Sequence, residues 1–162
     1  VSASLQREPL TSALLARLRT GVQIGGADAL VGDMVMPPGG GWTTGPNAPG
    51  DEFTPYLLLV PMTASGAGAT GTLADPQGDW KLPYSLTSVG AAREQCEWMA
   101  DQARNALTSL RTEVFALGPD SYKVQQVWTD SIGGLSRSAA SDPAIFTEVD
   151  QLTIWLGKVR TR

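Results

Sequence analysis

"SLTSVGAAREQCEWMADQARNALTSL", Ser85–Leu110, decides the fold. Its opening residues read as a strand, and at Gly90 the period changes. Ala92, Cys96, Met99, Ala103, Ala106, Leu107 and Leu110 recur three and four residues apart, the spacing of one helix face. Arg93, Glu94, Glu97, Asp101 and Arg104 mostly take the other side. Trp98 falls at the border of the apolar stripe. A strand that turns through one glycine into a long amphipathic helix predicts a sheet with a helix laid on it.

Working outward, "PLTSALLARLRT" (Pro9–Thr20) reads as a first helix. Leu10, Leu14, Leu15 and Leu18 form its stripe, Pro9 suits the first turn and Gly21 can end it. Residues 27–36 hold a short strand. "FTPYLLLVPM" (Phe53–Met62) is the clearest strand, and its continuous apolar run predicts burial on both faces at a central position. The Tyr122–Asp130 strand places Tyr122, Val124, Gln126 and Trp128 on one face. In the final Ile145–Val159 strand, Leu152, Ile154 and Leu156 point one way and Thr153, Trp155 and Gly157 the other. The Gly/Pro-dense stretch 36–52, with Trp42 inside it, is predicted to hold no regular element. That stretch and residues 63–83 are expected to be flexible loops. Residues 131–143 read as a polar loop broken at Gly133-Gly134. Helix, strands, helix and strands in this order predict an α+β fold: one mixed or antiparallel sheet, two helices packed on it, and long loops. With 162 residues, the expectation is a single domain over 1–162.

Composition narrows the function classes. Of the residues, 42% are apolar and only 17% charged, which argues against disorder throughout. The net charge is −4, and no basic stripe of the kind that grips phosphates is present. One cysteine cannot form an internal disulfide, which fits a reducing compartment. No apolar run is long enough to span a bilayer, and the N-terminus lacks a signal-peptide pattern. The expectation is a soluble protein, intracellular at synthesis, with no membrane partner.

Each candidate chemistry meets an obstacle. Gly90 stands alone, whereas phosphate-binding turns carry several glycines, so it reads as a tight strand-to-helix joint. Cys96 lies on the apolar stripe, and with no histidine in the chain it lacks the usual base; it reads as core. A structural zinc site needs ligands the chain does not have. Asp51, Glu52, Asp75 and Asp79 lie in loops without the spacing of a calcium-binding loop. Sixteen acids leave paired-carboxylate hydrolysis open, but none stands out as a pair. The prediction is no catalytic residue, no metal and no cofactor.

Together these segments carry a resemblance. The leucine-striped first helix, the "TPYLLLVPM" strand and the following Gly-rich loop belong to it. So do the strand–glycine–helix stretch, the Trp-bearing strand and the closing "DPAIFTEVDQLTIWLGKVR". They resemble the tail terminator proteins of long-tailed, non-contractile bacteriophages, particularly those of actinobacteria, from Pro9 to about Arg160. The most specific piece is Leu86-Thr87-Ser88-Val89-Gly90 with Arg93, Gln95, Ala100 and Asp101. The loop around Trp42 is longer than that pattern. The resemblance implies a structural virion protein forming a ring, six-fold in such proteins, on the head-proximal end of the tail tube. The ring ends tube growth and offers a docking surface to the head-closure or neck protein. Viral DNA passes through the channel without specific binding, and an acidic wall would keep it from sticking. The subunit would reside in the host cytoplasm during assembly and afterwards in the virion. A head-to-tail ring needs aromatic anchors, exposed strand edges and movable loops. Trp42 and Trp80, placed in loops, and Trp98 are the candidate partner-interface residues. The alternatives are a head-closure or neck connector, a tail tube subunit, a small carboxylate-dependent enzyme and an acidic adaptor.

Overall fold

The computed structural model describes residues 5–43, 52–63, 79–138 and 144–159. Helix α1 spans Glu8–Gly21, with Pro9 in its first turn, where a missing N–H costs nothing. The strands β1 (Gln23–Ile24) and β2 (Ala27–Asp28) form a small hairpin, followed by β3 (Leu30–Asp33), β4 (Gly41–Trp42), β5 (Phe53–Thr54), β6 (Tyr56–Pro61) and β7 (Trp80–Gly90). Helix α2 covers Arg93–Thr108. The chain continues through β8 (Val114–Ala116), β9 (Ser121–Ser131), β10 (Ser136–Arg137) and β11 (Phe146–Lys158).

The main sheet runs β3-β6-β7-β11-β9-β8, with β10 beside the start of β11. β3 and β6 are parallel, and the other neighbours are antiparallel. The fold is therefore α+β with one mixed sheet and both helices packed on it. The stripe leucines of α1 and Met99, Ala103 and Leu107 of α2 meet Leu57, Leu59, Leu82, Tyr84, Leu86, Val124, Leu152, Ile154 and Leu156 in one core. Burying a side chain of this kind stabilises by about 1.5–3 kcal/mol.

Helix α1 also closes off the sheet. Arg7 lies over the Tyr84 ring at 4.1 Å and donates to the carbonyls of Met62 (2.7 Å) and Pro83. Thr11 and Tyr84 share a hydroxyl hydrogen bond of 3.0 Å. Both sheet edges meet α1 or the residues just before it: Arg19 donates to the Val31 carbonyl of β3, and the Gln6 N–H donates to Leu117 beyond β8.

Other expectations also need correction. Pro55 divides residues 53–62 into β5 and β6, since proline cannot donate into a ladder. β6 buries Leu57 and Leu59 on one face only and lies next to the edge strand, so its apolar run does not mark a central strand. The stretch 36–52 contains one regular strand, β4, which pairs with β5 just beyond it and sets Trp42 opposite Phe53. Topology supplies the reason for its length. A parallel β3–β6 pair cannot be joined by a tight turn, and the chain between Asp33 and Tyr56 is the crossover. Its glycines permit close packing. Gly39 and Gly41 have φ of 82° and 83°, and a Cβ on Gly40 would stand 3.1 Å from the Tyr56 ring. Residues 44–51 lie outside the described residues, as do 64–78 of the second expected loop. Residues 80–83 of that second loop belong to β7.

β9 carries the clearest deviation. Tyr122 and Val124 are buried, but the register against β11 shifts between Trp155 and Leu156. One extra residue on β9, at Gln125, reverses the alternation. Gln126 and Trp128 consequently leave the face that Tyr122 and Val124 occupy. The polar loop after β9 is also interrupted by a strand, because Ser136 and Arg137 pair with Thr147 and Phe146.

Candidate functional site

The joint at Gly90 behaves as packing geometry. A Cβ there would lie 3.2 Å from Gln95 Oε1 and 3.3 Å from the Cys96 nitrogen, so the first turn of α2 rests directly on the end of β7. Cys96 is fully buried and its thiol donates to the Ser88 carbonyl at 3.2 Å. Burial, followed by the charge of Glu148, pushes the thiol up to about 11. A thiol that resists ionisation is a poor nucleophile.

The three tryptophans singled out by sequence do not come together. Trp80 opens β7 and packs half-buried against the core, with its indole N–H buried and unpartnered. It is therefore a strand residue and not a loop anchor. Trp42 is half-buried, edge-to-face with Phe53 at 5.2 Å, and Phe53 leads on to Tyr56 at 6.2 Å. Trp98 is 43% exposed. It sits away from the buried stripe of α2 and not at its border, close to Glu94 and Asp101 along the helix surface.

The sheet's second face carries a feature that sequence reasoning did not assemble. Trp128 of β9 and Trp155 of β11 stack with centroids 5.4 Å apart. The Lys81 ammonium of β7 lies 5.3 and 5.6 Å from the two rings, within cation–π range. Beside them Thr153 donates to Asp130. No helix among the described residues covers this part of the face. The bulge at Gln125 creates the site by turning Trp128 towards Trp155. The cue in the sequence was the matching parity of Thr153 and Trp155 on β11, but a bulge leaves no comparable mark.

A second unpredicted cluster lies under α2. Glu148 and Asp150 of β11 are 5% and 1% exposed, on the same face as Leu152 and Ile154. Arg104 donates to Glu148 at 3.1 Å and also to Asp150 and Asp101. The second oxygen of Asp150 accepts the Gly133 N–H at 3.1 Å, and Gly133 lies so close to the Val149 backbone that a Cβ would collide with it. Burial opposes the Arg104 charge, but the three carboxylates more than offset this and raise its value. Burial pushes the Glu148 carboxyl above the ordinary carboxylate range; the Arg104 hydrogen bond works against that, and the Asp150 charge adds to it. This is the carboxylate pair that the count of acids left undefined. Its cue was the alternation of β11, which puts both acids in step with the core residues.

Comparison with known proteins adds the fold. No family model matches the chain, and no curated protein matches it. Eight solved chains do match. One is 14% identical, with a TM-score of 0.51, over 98% of this chain and 100% of its own. That likeness is one of fold alone. Among the described residues, no group of three or more His, Cys, Asp or Glu side chains is placed to hold a metal, and no helix is long and apolar enough to cross a membrane. Outward features include Trp98, the Lys81–Trp128–Trp155 group, Ile132 with Val149, and the Met34–Val35–Met36 run, exposed by 62%, 68% and 54%. Met34 holds a left-handed φ of 63°, a strained position for a side chain of this size.

Proposed function

We propose that this chain is a structural subunit of a long-tailed bacteriophage, of the tail terminator kind. It assembles as a ring, six-fold by the resemblance, on the head-proximal end of the tail tube, ends tube growth and presents the surface to which the neck docks. The reading rests on the sequence resemblance from Pro9 to about Arg160. The observation that carries it furthest is Trp98, a large ring exposed on the outer side of α2, the helix that carries Arg93, Gln95, Ala100 and Asp101 of that resemblance. Exposed aromatic anchors of this type dominate interfaces. No chemical step is required of the subunit, and viral DNA passes through its channel without specific binding.

Two observations rank the alternatives. A tail tube subunit is expected to be more extended and to lack a long second helix, whereas α2 runs for 16 residues. A carboxylate-dependent enzyme needs accessible acids, whereas Glu148 and Asp150 are buried and bound to Arg104. A head-closure or neck connector is the nearest remaining alternative, and an acidic adaptor would stay off the tail.

The test is deletion of the gene from its phage, followed by electron microscopy of the particles. Overlong or irregular tails detached from full heads are expected. Tails of normal length that fail to join heads would move the protein to the neck. Normal infectious virions would refute the assembly reading.

A further inference from the structure

The cluster under α2 holds more negative charge than positive. One guanidinium serves three carboxylates, two of them buried. The groups facing Glu148 are Arg104 and Asp101 from α2, Asp150 from its own strand, and the Cys96 thiol. Glu97 stands nearby on α2 and pairs with Arg93. β7 contributes Ser88, directly opposite Glu148 across the ladder and on the same sheet face. Ser88 is 1% exposed and its hydroxyl has no hydrogen-bond partner. A buried hydroxyl left unpartnered is costly. An ionised carboxylate can only accept, but a protonated one also donates. The site thus offers surplus buried negative charge and a spare hydroxyl beside the acid that bears it.

We propose that Glu148 is a proton-operated lock on the segment after β9. On acidification the Glu148 carboxylate takes one proton from solvent and becomes a neutral acid, able to donate as well as accept beside Ser88. Arg104 is then left to Asp150 and Asp101. Repulsion between the two buried acids falls, and Asp150 holds the Gly133 N–H more firmly. As pH rises Glu148 ionises, Asp150 is pushed by a neighbouring like charge, and the seat of Gly133 loosens. Ile132 and Val149, 64% and 41% exposed, flank that seat, so the lock governs how firmly an exposed apolar pair is presented.

The sign follows from linkage. A carboxyl raised on folding stabilises the fold below its unfolded value, and that stabilisation is lost as pH rises through the folded value. The melting temperature should therefore rise as pH falls through the raised Glu148 value towards the ordinary carboxylate range, by roughly 4 °C for each unit by which Glu148 is raised. The experiment follows thermal melting and the Gly133 amide resonance against pH in the purified full chain. The amide should titrate with a midpoint above the ordinary carboxylate range. Glu148→Gln, which keeps the shape and an acceptor for Arg104, should remove both the midpoint and the rise. A wild type showing neither signal, or a Glu148→Gln variant retaining both, would overturn the lock.

Discussion

The two faces of the same sheet use aromatic, charged and apolar residues in opposite ways. Under the helices, Arg104, Glu148 and Asp150 are held to one another by direct bonds beside a largely aliphatic core. On the other face, Lys81 lies over Trp128 and Trp155, and the group keeps some contact with water. The difference teaches where substitution is expensive. Breaking a buried ion pair leaves an uncompensated charge, whereas exposed groups can turn to solvent.

Arg104→Ala is the strongest way to break this comparison. It leaves Glu148 and Asp150 without their cation, and urea denaturation should show a loss of about 3–5 kcal/mol. A loss equal to that of a surface substitution would mean that the cluster contributes little to the fold. On the open face, Trp128→Ala removes one stacked ring and a lysine contact, and the same measurement should show roughly 1–2 kcal/mol. At the crossover, Trp42→Ala should cost about 1 kcal/mol through its edge-to-face partner Phe53. It should also weaken assembly if this hairpin touches a neighbour. Trp98→Ala should change stability least, within about 0.5 kcal/mol, because its ring is outside the core.

The same contrast shows what could be read from sequence. Both helices follow directly from their stripes, because burial in the helix layer enforces the period: Leu10, Leu14, Leu18, Cys96, Met99, Ala103 and Leu107 are all buried. β11 obeys simple alternation, and Glu148 and Asp150 were visible there as polar residues in core register. What failed depends on contacts distant in sequence. The bulge at Gln125 is a property of pairing with β11, and the crossover role of residues 34–55 depends on β3 lying parallel to β6. The sequence places Trp80 in a loop, yet β7 begins at Trp80, ahead of its first buried residue, Leu82. The Arg104 cluster joins a helix to a strand more than forty residues away, and no local pattern announces such a partnership.

If the helix-covered face maintains the fold while outward residues serve assembly, Trp98 is where the two roles separate. The most direct measurement is to rescue the gene-deleted phage with the Trp98→Ala chain and image its particles, alongside thermal melting of the purified variant. The account predicts a melting temperature within about 2 °C of wild type, together with overlong tails detached from heads. Normal virions from the Trp98→Ala chain would contradict it.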